Sequence, residues 1–250
     1  MDYTRQLKQI NPDLIGKKKV ILVGVGATGS YVAHILAKLG WGDSSEGHGV
    51  LSVWDGDVVE EHNLCNQLFE PAHVGMKKVE ALDDMIHRAC GFHIDTHCEM
   101  VSDQQELKQG KYIFLLTDTM KSRKEIFENC IKFSFNTDLV IETRMGLGDG
   151  RVYAFNPNNT DETDAWKRTL YSDEEASESL CGAQSSIVAT AMFTASLAVW
   201  RLLHHFDVTY GDNYTKEQMK DESIVNESLF SLGPEFIMTR QFGVPSTIDS

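Results

Sequence analysis

A glycine-rich turn between an apolar strand and a helix is the feature that most constrains the fold of this chain. Residues 20–30 read VILVGVGATGS, so a strand runs into Gly24 and a helix is expected from Ser30. Gly24 would allow the tight turn, Gly26 the approach of a phosphate, and Gly29 close packing of the helix on the strand. The amides at the helix start favour the phosphates of a nucleotide. Ser30 stands where a Walker P-loop has its lysine, which excludes that motif.

Apolar strands and helices with one apolar face alternate over the first 145 residues. The segment from 112 to 116 is apolar at every position, as in a strand that is covered on both faces. The alternation predicts a Rossmann-like α/β fold with a mostly parallel sheet flanked by helices. The predicted strands cover residues 20–23, 51–54, 94–100, 112–116 and 139–142, and the predicted helices cover 30–39, 78–89 and 122–132.

The pattern changes after Gly146. Residues 151–155 predict an antiparallel strand, and the polar, acidic segment 156–179 predicts a long loop of the kind that is usually functional. A long helix and a closing strand pair at 230–240 follow, so antiparallel strands join the sheet in the C-terminal half. We expect a single domain over 1–250, with a nucleotide-binding half to about 145, a crossover loop over about 156–182, and a helix and strands over 183–250.

Charge and cysteine content narrow the classes of partner and compartment. The net charge is −14, which argues against a nucleic-acid-binding or anionic membrane surface. The N-terminus lacks a signal-peptide pattern, and no apolar run approaches the roughly 20 residues of a membrane span. Five cysteines without a CxxC pair predict reduced thiols, a cytoplasmic protein and no structural zinc. His97 and Cys98 fall on opposite faces of a predicted strand, which argues against a shared metal site.

Four further motifs follow the glycine turn in order. They are DGD at 55–57, NLCNQ at 63–67, GMKKVE at 75–80 and LTDT at 116–119. Together with the turn, this series resembles the ThiF/MoeB/HesA family of adenylyltransferases, relatives of the ubiquitin-activating enzymes. The resemblance covers residues 3–155 and 181–203. It implies an enzyme that adenylates the C-terminal carboxylate of a ubiquitin-like or sulfur-carrier protein with ATP, releasing pyrophosphate.

The resemblance also implies roles for individual residues. Asp55 would accept the ribose hydroxyls, Asn63 would contact the phosphates, and Lys78 would place a cation on them. Asp118, after an apolar strand, would hold Mg²⁺. The full set of expected nucleotide contacts is Gly24, Gly26, Gly29, Ser30, Asp55, Asp57, Asn63, Asn66, Gln67 and Lys78.

Two more roles concern the partners that the resemblance implies. Arg5 lies in a segment that resembles the family's N-terminal motif, whose arginine reaches the ATP of the partner subunit, so a homodimer is expected. Cys181 lies near the start of the long helix, where several family members carry a cysteine that accepts the activated carboxylate or sulfur. A small buried residue is the alternative interpretation of Cys181. The carrier's C-terminal tail would pass beneath the 156–179 loop.

Each residue has a simpler interpretation when it is taken alone. Asp55 would equally bind the ribose of NAD, Lys78 could be a solvated residue of a first helical turn, and Asp118 could cap the following helix. Asn63 and Gln67 could be ordinary polar residues of a loop. An NAD(P)-dependent oxidoreductase and a non-catalytic binding adaptor therefore stay open as alternatives.

One position departs from the family pattern. The family usually has an arginine where this chain has Asn66, and asparagine brings no charge to the phosphates. Lys77, Arg123 or Arg144 could supply the missing cation. Without such compensation, the chain would be a slow enzyme or a relative that binds without turnover.

Overall fold

A computed structural model describes residues 18–42, 49–102, 107–132, 134–172, 187–210 and 226–240 of the chain. Within these ranges, nine strands form one sheet. The strands are β1 Val20–Val23, β2 Trp41–Gly42, β3 Gly49–Trp54, β4 Asp95–His97, β5 Tyr112–Leu115, β6 Leu139–Met145, β7 Asp149–Phe155, β8 Glu227–Leu232 and β9 Glu235–Arg240. Their spatial order is β2-β3-β1-β5-β6-β7-β8-β9, and β4 lies beside β3.

Five α-helices cover the sheet in the same ranges. They are α1 Ala27–Lys38, α2 Lys78–Cys90, α3 Met120–Ile126, α4 Thr160–Arg168 and α5 Val188–Tyr210. A π-helical turn, Phe127–Ile131, continues α3, and two short 3-10 turns, Glu61–Cys65 and Pro71–His73, precede α2.

The sheet changes from parallel to antiparallel along its width, as the sequence predicts. β3, β1, β5 and β6 pair in parallel, whereas β6, β7, β8 and β9 pair antiparallel. The predicted fold class is therefore confirmed. Alternate residues of β1 enter two separate cores: Leu22 packs with α1, α2 and α5, and Ile21 packs with α3 and α4. Burial on both faces explains why the central strands are apolar throughout.

Several predicted bounds differ from the structure: the strand predicted over 94–100 covers only Asp95–His97, and the helix predicted from 122 begins at Met120. Two further differences have a clear physical reason. The first helix begins at Ala27 and not at Ser30, because the amide of Ser30 already bonds to the carbonyl of Gly26 at 3.0 Å. The segment predicted as a loop from 156 to 179 contains α4. Its cap is Asn159, whose side chain accepts from the amides of Asp161 and Glu162. This helix is short and polar, so it lacks the apolar periodicity on which the sequence prediction depends.

Candidate functional site

The glycine turn has the conformation that its sequence requires. Gly24 has a φ of +94°, and a Cβ there would lie 2.9 Å from the carbonyl oxygen of Leu116. A Cβ on Gly29 would overlap the carbonyl oxygen of Gly24, so the first turn of α1 can pack this closely only with glycine. A Cβ on Gly26 would meet nothing within 4 Å. The turn is therefore tight at Gly24 and Gly29 and open at Gly26.

Asp55 braces this turn from the end of β3. One of its carboxylate oxygens accepts the amide of Val25 at 2.8 Å, and the other accepts the amide of Asp57 at 2.9 Å. The side chain is buried. Each oxygen has a second lone pair that these bonds leave unused. Asp55 thus fixes the glycine turn against its own loop while it keeps acceptor capacity for a ligand hydroxyl.

A pocket of about 380 Å³ opens beside this loop. Three of the residues expected at the nucleotide line it together: Asp57, Asn63 and Lys78. Its other lining residues are Gly56, Val58, Glu60 and His62. Lys78 lies in the first turn of α2, and its ammonium is 2.9 Å from Oδ2 of Asp57. Because the Lys78 side chain is only 10% exposed, the interpretation of Lys78 as a solvated surface residue is wrong.

The loop that carries Asn63 is held by its own side chains. Oδ1 of Asn63 accepts the amide of Glu60 at 2.9 Å, and the Glu60 side chain accepts from the backbone of Asn63 in return. Oγ of Ser30 accepts the amide of Leu68 at 3.1 Å, so the fully buried Ser30 ties this loop to α1. Oε1 of Gln67 is buried without a partner among the described residues, which leaves an acceptor available at this point.

Asp118 is exposed in the connection between β5 and α3. Thr119 caps α3, because its side chain accepts the amide of Ser122 at 3.1 Å. The interpretation of Asp118 as a helix cap is therefore wrong. No group of three His, Cys, Asp or Glu side chains in the described ranges could hold a metal ion. One exposed carboxylate suits Mg²⁺, which protein sites usually bind through one or two carboxylates together with substrate phosphates.

A buried charge cluster joins β6, α3 and α4, and the sequence did not predict it. The carboxylate of Glu142, which is 0% exposed, lies 3.0 Å from Nε of Arg123 and accepts Nε of Arg144 at 2.9 Å. The indole of Trp166 donates to the same carboxylate at 3.2 Å. Burial lowers the pKa of the Arg144 guanidinium, but Glu142, together with Tyr153 and Tyr171, outweighs burial and holds that pKa above its ordinary value. A glutamate at the end of the apolar run Leu139–Ile141 was the signal available in the sequence.

Residues 3–233 match the model of the ThiF family. The chain belongs to this family. The ubiquitin-like modifier-activating enzyme 5 of Caenorhabditis elegans is 37% identical to it over 84 residues, which are 33% of this chain and 18% of that protein. The match thus spans less than a fifth of the length of this relative.

Several solved structures share this fold over almost the whole chain. PaaA aligns with a TM-score of 0.68 at 20% identity, covering 96% of this chain and 72% of PaaA. MccB of Escherichia coli in complex with ATP aligns with a TM-score of 0.65 at 14% identity, covering 98% and 72%. MccB in complex with N-formylated MccA aligns with a TM-score of 0.70 at 15% identity, covering 98% and 73%.

Three further residues are expected at the site of a ThiF-family protein, namely Arg5, Asn66 and Cys181. Arg5 and Cys181 fall outside the described residues. Asn66 is buried next to the Asn63 turn. No helix in the described ranges is long and apolar enough to cross a membrane.

Proposed function

We propose that this chain uses ATP to adenylate the C-terminal carboxylate of a small protein or peptide. One observation carries the proposal: the Asp55-braced glycine turn and the pocket with Asn63 and Lys78 adjoin each other in a member of the ThiF family. They lie at the carboxyl ends of the parallel strands, where open α/β sheets bind ligands. The names of its relatives agree with this proposal, since one is a modifier-activating enzyme and another binds ATP.

The proposed reaction is a nucleotidyl transfer. A carboxylate oxygen of the carrier attacks the α-phosphorus of ATP, the bond from that phosphorus to the bridging oxygen breaks, and pyrophosphate leaves. In the transition state the reacting phosphate and the departing pyrophosphate carry negative charge. The site must therefore orient the two substrates and offset this charge. The open amides around Gly26 and the ammonium of Lys78 would do this at the phosphates. Mg²⁺, held by Asp118, would neutralise phosphate charge when it is bound.

Lys78 starts from a pair with Asp57 rather than as a free cation. An ammonium has three donors, so Lys78 can keep Asp57 and still donate to a phosphate oxygen. Asp57 would then fix the direction of the Lys78 side chain before ATP arrives. In this proposal Asp55 receives the ribose hydroxyls through its unused lone pairs, and Asn63 lies at the phosphate side of the pocket.

The proposal includes a carrier and a second subunit. The carrier is a ubiquitin-like or sulfur-carrier protein that presents its C-terminal tail. The second subunit is another copy of this chain, whose Arg5 reaches the ATP across a dimer. Sedimentation velocity of the purified chain, with and without the substitution Arg5→Ala, tests the dimer separately from catalysis. A monomer that still adenylates its carrier would remove Arg5 from the site.

Calorimetric titration with ATP·Mg²⁺ and, in parallel, with NAD⁺ tests the proposed function first. We expect binding of ATP alone and an affinity that falls about tenfold or more in Lys78→Met, because a charge-assisted contact with phosphate is lost. Lys121→Met is the matched control, since that side chain is exposed on α3. Binding of NAD⁺ in preference to ATP would contradict the proposal.

Pyrophosphate exchange then tests turnover. Labelled pyrophosphate should enter ATP only when a carrier with a free C-terminal carboxylate is present. If the chain binds both ATP and the carrier but no exchange occurs, this result would contradict the proposed adenylating activity. It would favour the alternative of a non-catalytic binding adaptor. A carrier in which the C-terminal carboxylate is amidated is the control, because it keeps the protein surface and removes the nucleophile.

A further inference from the structure

We propose that Lys77 is a second phosphate-binding residue of this site and supplies the positive charge that Asn66 does not. The inference rests on the proposed function. It begins with the charges of the pocket as the structure has them. Asp57 and Glu60 line the pocket as carboxylates, and Lys78 lines it as a cation that is already paired with Asp57. A polyphosphate therefore enters a pocket whose lining side chains carry no surplus of positive charge.

Arg123 of α3 and Arg144 of β6 do not supply that positive charge. Both guanidinium groups are buried and bound to the carboxylate of Glu142. Arg144 also donates to the carbonyl of Thr169 at 2.7 Å, and Arg123 donates to the carbonyl of Thr143 at 3.1 Å. Withdrawing either side chain would leave a buried carboxylate with one fewer partner, which is costly. Arg123 and Arg144 thus hold elements together instead of reaching a ligand.

Lys77 differs from them in both position and partners. It lies directly before α2 and pairs with Val58 through a backbone bridge. Its ammonium donates to the carbonyl of Gly56 at 2.8 Å, and Gly56 and Val58 both line the pocket. Among the described residues, no carboxylate pairs with this ammonium. The Lys77 charge is therefore held at the rim of the pocket without being neutralised.

The side chains of the adjacent residues Lys77 and Lys78 bond to adjacent residues of the loop at the rim of the pocket. Lys77 holds the carbonyl of Gly56, while Lys78 holds the carboxylate of Asp57. A neutral carbonyl uses one of the three donors of Lys77 and offsets little of its charge. A half-buried lysine on a flexible stem can turn toward a phosphate without breaking an ion pair, which gives Lys77 the freedom that Arg123 and Arg144 lack.

The test compares ligands with and without phosphate in Lys77→Met. This variant keeps the length of the stem and removes the charge. Calorimetry should show an affinity for ATP·Mg²⁺ that falls about tenfold, equal to about 1.4 kcal/mol, while the affinity for adenosine stays within about twofold of wild type. Lys121→Met is again the control, and urea unfolding of each variant checks the fold.

A second substitution, at the position where the family usually has an arginine, tests whether a returned positive charge restores ATP binding. Adding Asn66→Arg to Lys77→Met should restore at least half of the lost affinity for ATP, because a second cation returns at the position next to the Asn63 turn where the family usually has an arginine. Unchanged ATP binding in Lys77→Met would overturn the role of Lys77 and leave the proposed function intact. An equal loss for ATP and adenosine would also overturn it, since Lys77 would then act only through the loop. Wild-type protein that binds no ATP would refute the proposed function itself.

Discussion

Gly26 and Gly29 lie in the same turn and differ in what surrounds their α-carbons. A methyl group at Gly29 would collide with the carbonyl oxygen of Gly24, whereas one at Gly26 would extend into open space. We expect Gly29→Ala to lower the free energy of unfolding by about 2–3 kcal/mol, as for overpacking against rigid backbone. Gly26→Ala should leave it within about 0.5 kcal/mol of wild type and weaken ATP binding. Urea unfolding and calorimetry measure the two effects, and a Gly29→Ala protein of wild-type stability would contradict the packing argument.

Substitutions of the adjacent residues Asp118 and Thr119 should have different effects, one on ATP binding and the other on stability. Thr119 accepts the amide of Ser122 at the start of α3, so Thr119→Ala should cost about 1 kcal/mol of stability. Asp118 is exposed, and its carboxylate makes no hydrogen bond or ion pair in the described structure. Asp118→Asn should therefore unfold like wild type but lose the Mg²⁺ dependence of ATP binding. Thermal unfolding and calorimetry with and without Mg²⁺ check the pair, and an Asp118→Asn protein that keeps this dependence would exclude Asp118 as the metal ligand.

At the scale of elements, the sequence predicts what periodicity encodes and misses what depends on contacts through space. The central strands and α2 begin where the apolar pattern does, and the motif order predicts that Asn63 and Lys78 belong to one site. The sequence does not predict α4 because only two of its residues, Thr163 and Trp166, are buried, too few to show a helical period. The pair of Lys78 with Asp57 bridges 21 residues. Neither residue carries a local signal for this partner.

The carboxylate of Glu142 joins three elements of the fold. Substitution of Glu142 tests how much of the free energy of unfolding depends on this carboxylate. It lies on β6 and binds Arg123 of α3 and Trp166 of α4. Glu142→Gln would leave two buried guanidinium groups without a counter-charge, so we expect a loss of about 3–5 kcal/mol in the free energy of unfolding. The control is Glu128→Gln, which removes two partly exposed ion pairs, one with Lys132 and one with Lys167 of α4, and should cost about 1 kcal/mol or less. Equal urea midpoints for the two variants would refute the structural role of the cluster.

At the scale of the whole molecule, strand order explains why the candidate site lies where it does. β1 is central, with β3 on one side and β5 on the other. The chain therefore leaves β1 in one direction and later returns to the other side, which opens a crevice at the carboxyl ends of these strands. The glycine turn follows β1, Asp55 follows β3, and Asp118 lies beyond β5. Residues that are far apart in sequence meet at this edge because the topology changes direction there.

His205 packs near the amino-terminal end of β5, away from the candidate site at the carboxyl ends of the strands. This histidine should make the free energy of unfolding depend on pH. His205 of α5 lies 5.8 Å from the ring of Tyr112, the first residue of β5. The pKa of His205 is lowered to about 4, mainly by burial and in smaller part by Lys18, His204 and Lys111, while Asp138 acts in the opposite direction. Nε2 of His205 is buried without a partner in the described ranges, so the folded protein holds this imidazole neutral.

An unfolded chain protonates His205 near pH 6.5, whereas the folded chain does so only near pH 4. Between these values the unfolded state binds more protons, so the free energy of unfolding should fall as the pH falls, by about 1.4 kcal/mol per pH unit and about 3 kcal/mol in all. His205→Gln should flatten this slope, whatever its effect at pH 7. The slope that remains should come in part from His34, whose pKa is also lowered by burial and by Lys38. Urea unfolding from pH 7 to pH 4 measures both proteins, and parallel curves would show that His205 is not the group that titrates.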